Sequence, residues 1–313
     1  MKKRVLMFTI VILLLVNAAS YGQCCAAGNP ITADGSASGS GKDILEVSAL
    51  YKHSYSDTYF DGNERSDYKY IDYSYFDFSS FRLAYGVTSK IKLSAEIGYF
   101  ISKSQTFNFG FDREAKGLGD GVLEIQYELY TSSKRKVDVF STLRVTLPIG
   151  EFDQMNGPVV LPIDIQPSSG NYKYNFGIML SKRYFGEKMT VFVDGSCEIS
   201  QRIQTNRTNY KYGNLYNASI YGSYKLWKNL IGALQVRSQI RDRASDKNHE
   251  MVQSTGGHVM FVVPQLKCQF LKAWNASLIF EYPIYKNMNG KQLTNKYAYS
   301  VGLSRQIDFF KSH

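Results

Sequence analysis

The sequence predicts an all-β fold, an antiparallel transmembrane β-barrel of about 12 strands with both termini on the periplasmic side. Three observations predict it. The chain begins with an export leader, apolar and polar residues then alternate with period two to the C-terminus, and the connections switch in order between short turns and long polar stretches.

The leader comes first. Lys2, Lys3 and Arg4 precede an apolar run from Val5 to Val16, followed by small and polar residues from Asn17 to Ser20. That run is shorter than the roughly 20 apolar residues a membrane span needs, so residues 1–22 read as a cleaved signal peptide. Cys24 and Cys25 follow directly and invite a lipid anchor, but Gln23 stands where a small residue is expected before a lipidated cysteine. No role is assigned to them. Residues 23–42, rich in glycine and serine, read as a flexible polar lead-in, and residues 43–313 as the barrel.

Composition narrows the class. Past the leader no stretch of 18 apolar residues remains, which excludes a helical membrane protein. The chain is 14% aromatic, with 24 Tyr and 19 Phe, a load that suits a membrane–water interface and equally a tyrosine-rich secreted sandwich. The formal charge is +10, of which Lys2, Lys3 and Arg4 supply three. The remaining basic residues are dispersed over strands and turns, so nucleic acid is a poor partner, and lipopolysaccharide phosphates or an anion-favouring lumen a better use.

The clearest strand places Ile91, Leu93, Ala95, Ile97, Tyr99 and Ile101 on one face and Lys92, Ser94, Glu96 and Gly98 on the other. A helix would scatter these residues around its cylinder. The pattern recurs at Leu123–Leu129 and Val137–Leu147, and in candidate strands Ile44–Tyr55, Tyr70–Tyr85, Tyr172–Tyr184, Met189–Arg202, Tyr212–Leu226, Leu230–Arg241, His258–Phe270, Trp274–Tyr285 and Lys296–Phe309. Short turns lie at Gly86–Lys90, Thr131–Lys136, Phe185–Lys188, Trp227–Asn229 and Leu271–Ala273. Between them come long polar connections: Ser56–Lys69, Ser102–Lys116, Pro148–Asn171, Ile203–Lys211, Asp242–Gly257 and Lys286–Asn295. An outer-membrane barrel segregates its loops in this way, whereas a sandwich has no physical reason to. Phe309 and Phe310 near the C-terminus fit recognition by barrel-assembly machinery, although neither is the final residue.

The face opposite the lipid carries Glu96, Glu124, Glu128, Asp138 and Glu198 against Lys92, Arg144, Arg237 and Arg241. A midplane Arg or Lys costs about 2–4 kcal/mol on a barrel's lipid face, so these nine are lumen-lining candidates. They serve an internal salt-bridge network or the selection of solutes. The Pro148–Asn171 connection holds Phe152, Met155, Pro158, Val159, Val160, Leu161, Pro162 and Ile163, and is expected to fold inward as a constriction or an apolar binding surface.

Gly117, Leu118, Gly119 and Asp120 open a strand, and Leu147, Pro148, Ile149 and Gly150 lead into that long connection. In these two motifs the chain resembles the outer-membrane transporters of the phenol meta-degradation pathway family. The resemblance implies a barrel in the outer membrane of a Gram-negative bacterium that admits small molecules, apolar or aromatic ones among them; it does not carry a phenol substrate with it. Gly117, Gly119 and Asp120 read as a turn or bulge, since a phosphate-cradling glycine loop needs a following helix and a strand follows here.

No catalytic, cofactor or metal constellation is predicted. His53, His249, His258 and His313 lack ligand spacing, and Asp61, Asn63 and Asp67 are a fragment of a calcium loop at best. Ser254 is the serine nearest His258 in the chain, but no group to orient the imidazole is evident. The expected function is a passive channel with a narrow charged lumen. The alternatives are a non-conducting barrel for structure or surface contact and, behind it, a lipid-modifying barrel enzyme, which would require a Ser and a His to meet at the outer rim.

Overall fold

A computed structural model describes residues 41–271 and 273–309. The leader, Cys24 and Cys25, nearly all of the lead-in, and Phe310 lie outside the described residues. Eleven continuous strand runs form the ring: Ile44–Gly62, Ile71–Gly86, Ile91–Phe107, Asp112–Ser132, Val137–Leu147, Lys173–Tyr184, Met189–Ser200, Leu215–Trp227, Leu230–Arg241, Gly257–Leu271 and Trp274–Asp308. Each pairs antiparallel with its neighbour in the chain, and the last pairs with the first from Ile44↔Asp308 to Gly62↔Met288.

A closed ring whose contacts are all antiparallel needs an even number of staves, and the last run supplies the twelfth by doubling back. Its residues 274–288 pair with Gly257–Leu271, while residues 292–308 pair with Ile44–Phe60. Gly290, at φ 78°, sits at the bend, and the Gln306 amide donates to the Ala273 carbonyl across the two arms at 3.1 Å. The short run Glu64–Ser66 pairs only with the tip of the first strand and lies outside the ring.

The radial distribution is that of a soluble protein turned inside out. Exposed outward positions include Ile97, Leu123, Ile125, Ile178, Leu180, Ile220, Leu234, Leu278 and Val301, while the buried set is rich in Lys52, Lys92, Asp138, Arg237 and Glu281. Water would penalise such a wall, and hydrocarbon favours it. Trp227, Phe185, Phe270 and Phe309 are exposed near the short-turn end, and Tyr73, Tyr99, Tyr216 and Tyr285 near the loop end, as two interfacial girdles require. Cys197 and Cys268 are free thiols on the outward face.

Three of the expected long connections are corrected. Ser56–Lys69, Ser102–Lys116 and Lys286–Asn295 are mostly strand, the second reduced to a turn at residues 108–111. Antiparallel pairing satisfies the backbone in water as well as in lipid, but above the lipid no outward residue has to be apolar, so alternation lapses while the strands continue. The long loops that remain are residues 148–172, 201–214 and 242–256.

Inside the wall, Phe76, Phe78 and Phe100 cluster, and Gly98 makes room for them. A Cβ there would meet the Phe78 ring at 2.0 Å.

Candidate functional site

Two carboxylates of the inner wall each hold two cations. Glu124 receives Arg82 at 3.0 Å and the Arg144 Nε at 3.0 Å. Arg82 crosses the intervening strand to do so, touching the Ser94 hydroxyl on the way. Lys92 acts on Glu124 electrostatically, and Glu96 and Glu198 act on Arg144. On the other side Glu281 holds Lys52 at 2.5 Å and Arg237 at 2.6 Å, with the Arg237 guanidinium 5.0 Å from the Phe261 ring centre.

Of the sequence candidates, the structure thus joins Glu124 with Arg144 and sets Lys92, Glu96 and Glu198 around them. Asp138 pairs instead with Arg183 at 3.2 Å. Arg237 goes to Glu281, Arg241 donates to the Gly213 carbonyl at 3.3 Å, and Glu128 is half-buried near the short turns. Sequence reasoning missed Lys52, Arg82, Arg183 and Glu281. The alternation marks at least two of them: Arg82 stands between outward Phe81 and Leu83, and Glu281 between outward Phe280 and Tyr282.

The loop of residues 148–172 narrows this lumen. It leaves the wall at Leu147, Pro148, Ile149 and Gly150, and Gly150 passes so close to the wall that a Cβ would lie 2.0 Å from the Leu118 carbonyl oxygen and 2.6 Å from that of Gly119. The two sequence motifs therefore meet in space. Gly117 to Gly121 form no turn, since the strand Asp112–Ser132 runs through them; the pairing shifts register between Ile97 and Tyr99 and again between Phe100 and Lys103. The result is a bulge, with Gly117 at φ 140°.

Asp120 fastens the far side of the loop. It accepts from the Ser168 hydroxyl at 2.6 Å, from the Ser169 amide at 3.0 Å and from the Ser169 hydroxyl. From the inner wall, Lys103 Nζ donates to the Gln166 carbonyl at 2.9 Å and Gln105 Nε2 to Asp164 at 2.6 Å. Leu161 and Ile165 bury themselves against Ala115. Burial pushes the Asp164 carboxyl above the ordinary range. Not all of the apolar segment turns inward: Met155 and Val159 remain exposed. The second loop reaches the first, Thr205 and Thr208 donating to Asp153 at 2.9 Å each, and is tied to the third, Arg202 donating to the Ser245 hydroxyl at 2.7 Å.

Two predictions arise here. Gly150→Ala forces a methyl group into a carbonyl and should expel the loop root, seen as increased protease cleavage of residues 148–172 in the folded barrel. Asp120→Asn removes the charge that three donors share, at about 1–3 kcal/mol. It should convert a steady conductance into a fluctuating, higher one, read in single-channel records.

Two spaces lie along the lumen. A cavity of about 390 Å³ occupies the short-turn half, bordered by Glu46, Arg82, Arg183, Lys267, Ser80 and Ser304. A space of about 30 Å³ lies nearer the loops, beside Gln239, Arg241, Phe261 and Lys286. Among the described residues no group of three or more His, Cys, Asp or Glu could hold a metal ion.

A family model described as "Putative MetA-pathway of phenol degradation" matches residues 69–284. Among solved structures, the COG4313 outer membrane channel from Pseudomonas putida F1 is similar at 12% identity and a TM-score of 0.68, covering 86% of this chain and 97% of that one. The NanC porin matches at 11% identity and a TM-score of 0.48, covering 84% and 100%. The β domain of the Bordetella autotransporter BrkA matches at 9% and 0.48, covering 83% and 100%. Only the first is similar enough to bear on the fold, and it bears on the fold alone. No protein of curated function matches the chain in sequence.

Proposed function

We propose that this chain, which belongs to the family described as "Putative MetA-pathway of phenol degradation", is a passive channel of the Gram-negative outer membrane for small molecules. The leader of residues 1–22 directs export and is removed, assembly machinery inserts the barrel, and lipopolysaccharide surrounds its loop end. The observation that carries the reading is a closed ring with an apolar exterior and a charged interior, narrowed by the loop fastened to Asp120. The paired charges hold the wall open to water and set which solutes pass, and conduction involves no chemical step.

Liposome swelling with uncharged solutes of graded size tests the proposal. Small solutes should enter and larger ones should be excluded at a sharp limit. The non-conducting alternative draws on one observation, the packing at the loop end, where Thr255, Gln292 and Thr294 are at most 1% exposed. Folded protein that admits no solute of any size would favour it.

A further inference from the structure

The outward wall holds a feature that conduction does not use. On the strand Leu230–Arg241, Leu234, Val236, Ser238 and Ile240 face outward, and on Gly257–Leu271 so do His258, Met260, Val262 and Leu266. Ile240 pairs with His258, which places Ser238 diagonally beside the imidazole, and the Ser238 Oγ lies 2.8 Å from His258 Nε2. The ring packs edge-on against Tyr285, with centroids 5.2 Å apart. Asn287 stands directly opposite His258 in the strand pairing, on the same face. Both members of the pair are half-buried and open outward.

Depth gives the pair its meaning. Ser238 lies three residues below the loop end of its strand, at the level of the tyrosine girdle. Lipid headgroups and ester linkages sit at that level. Beneath it the same wall offers Val236, Leu234, Val262 and Leu266 to acyl chains. Outward His53 provides the contrast: its Nδ1 is taken by Asp77 at 2.8 Å and its ring is surrounded by Tyr75, Tyr297 and Tyr299. His258 instead faces a primary hydroxyl, the arrangement by which an imidazole activates a serine.

We propose that Ser238 and His258 form a catalytic centre on the barrel's outer wall that cleaves acyl esters of the surrounding membrane lipid. Ser238 Oγ attacks the ester carbonyl carbon while its proton passes to His258 Nε2. The adduct collapses, the carbon–oxygen bond to the lipid backbone breaks, and the departing alcohol takes that proton. A water molecule, deprotonated by His258, then attacks the acyl-serine, releasing the fatty acid and restoring the hydroxyl.

The test uses the purified full-length barrel in two separate preparations, phosphatidylethanolamine vesicles and lipopolysaccharide micelles, with a fluorophosphonate probe mapped by mass spectrometry. The proposal expects an adduct on Ser238 and fatty acid release from at least one of the two lipids, and the lipid that responds identifies the source of the ester. Ser238→Ala should abolish both, and His258→Asn should slow release roughly a hundred-fold or more, with folding and conductance of both variants unchanged. Absence of a Ser238 adduct, or release that is equal in the wild type and Ser238→Ala, would overturn it.

Discussion

Excision of residues 154–166 raises the single-channel conductance several-fold while leaving the barrel folded. The segment lies across the lumen on the Gln166 carbonyl and the Asp164 carboxylate, and Ile165 is 1% exposed. Its two ends already touch, since the Gln154 amide donates to the Gln166 side chain at 2.9 Å and that side chain donates back to the Gln154 carbonyl at 3.3 Å. Joining residues 153 and 167 therefore needs little rearrangement, and the loop root at Gly150 and the Asp120 clamp on Ser168 and Ser169 remain. Lys103, Gln105 and Ala115 would face lumen water at little cost. Planar-bilayer recordings of the refolded deletion decide the matter, and an unchanged pore would mean that the obstruction lies elsewhere.

Glu281→Gln is the substitution expected to destabilise the barrel most. The Glu281, Arg237 and Lys52 side chains are 6%, 7% and 10% exposed, so a neutral amide leaves two buried cations facing each other's field. Breaking a buried pair from one side costs about 3–5 kcal/mol. Glu187→Gln provides the control, because its Lys136 partner lies in an exposed turn with side chains 42% and 57% accessible, where the loss is within about 0.5 kcal/mol. Urea unfolding in lipid vesicles, followed by tryptophan emission, should separate the two variants clearly. Equal midpoints would remove the Glu281 cluster from the account of what holds the wall.

The strands were legible because lipid imposes a condition at every second residue. Ile91 to Ile101 satisfies it without a break, and the structure places those side chains outward. Where lipid ends the condition ends, so Asp112 to Lys116 read as loop although they are strand. Charge pairing was less legible because partners are chosen across strands: Arg82 reaches Glu124 over Ser94, and Lys52 reaches Glu281 from the far side of the closing seam. Linear alternation shows which face a residue takes but not whom it meets there. The same limit separated the two family motifs: Gly150 and Leu118 are 32 residues apart in the chain, and they touch because strand pairing sets Leu147 opposite Gly121. It also set His258 beside Ser254 in the chain, when strand pairing gives it Ser238.

Whether the lumen conducts is decided by single-channel recording of the refolded mature wild type in planar bilayers, with the reversal potential measured under a salt gradient. A small, steady conductance is expected, with a reversal potential that shifts when Arg144 or Arg237 is neutralised, because the ions pass along that wall. Silence from wild type and from the 154–166 deletion alike, in protein shown to be folded, would contradict a conducting lumen.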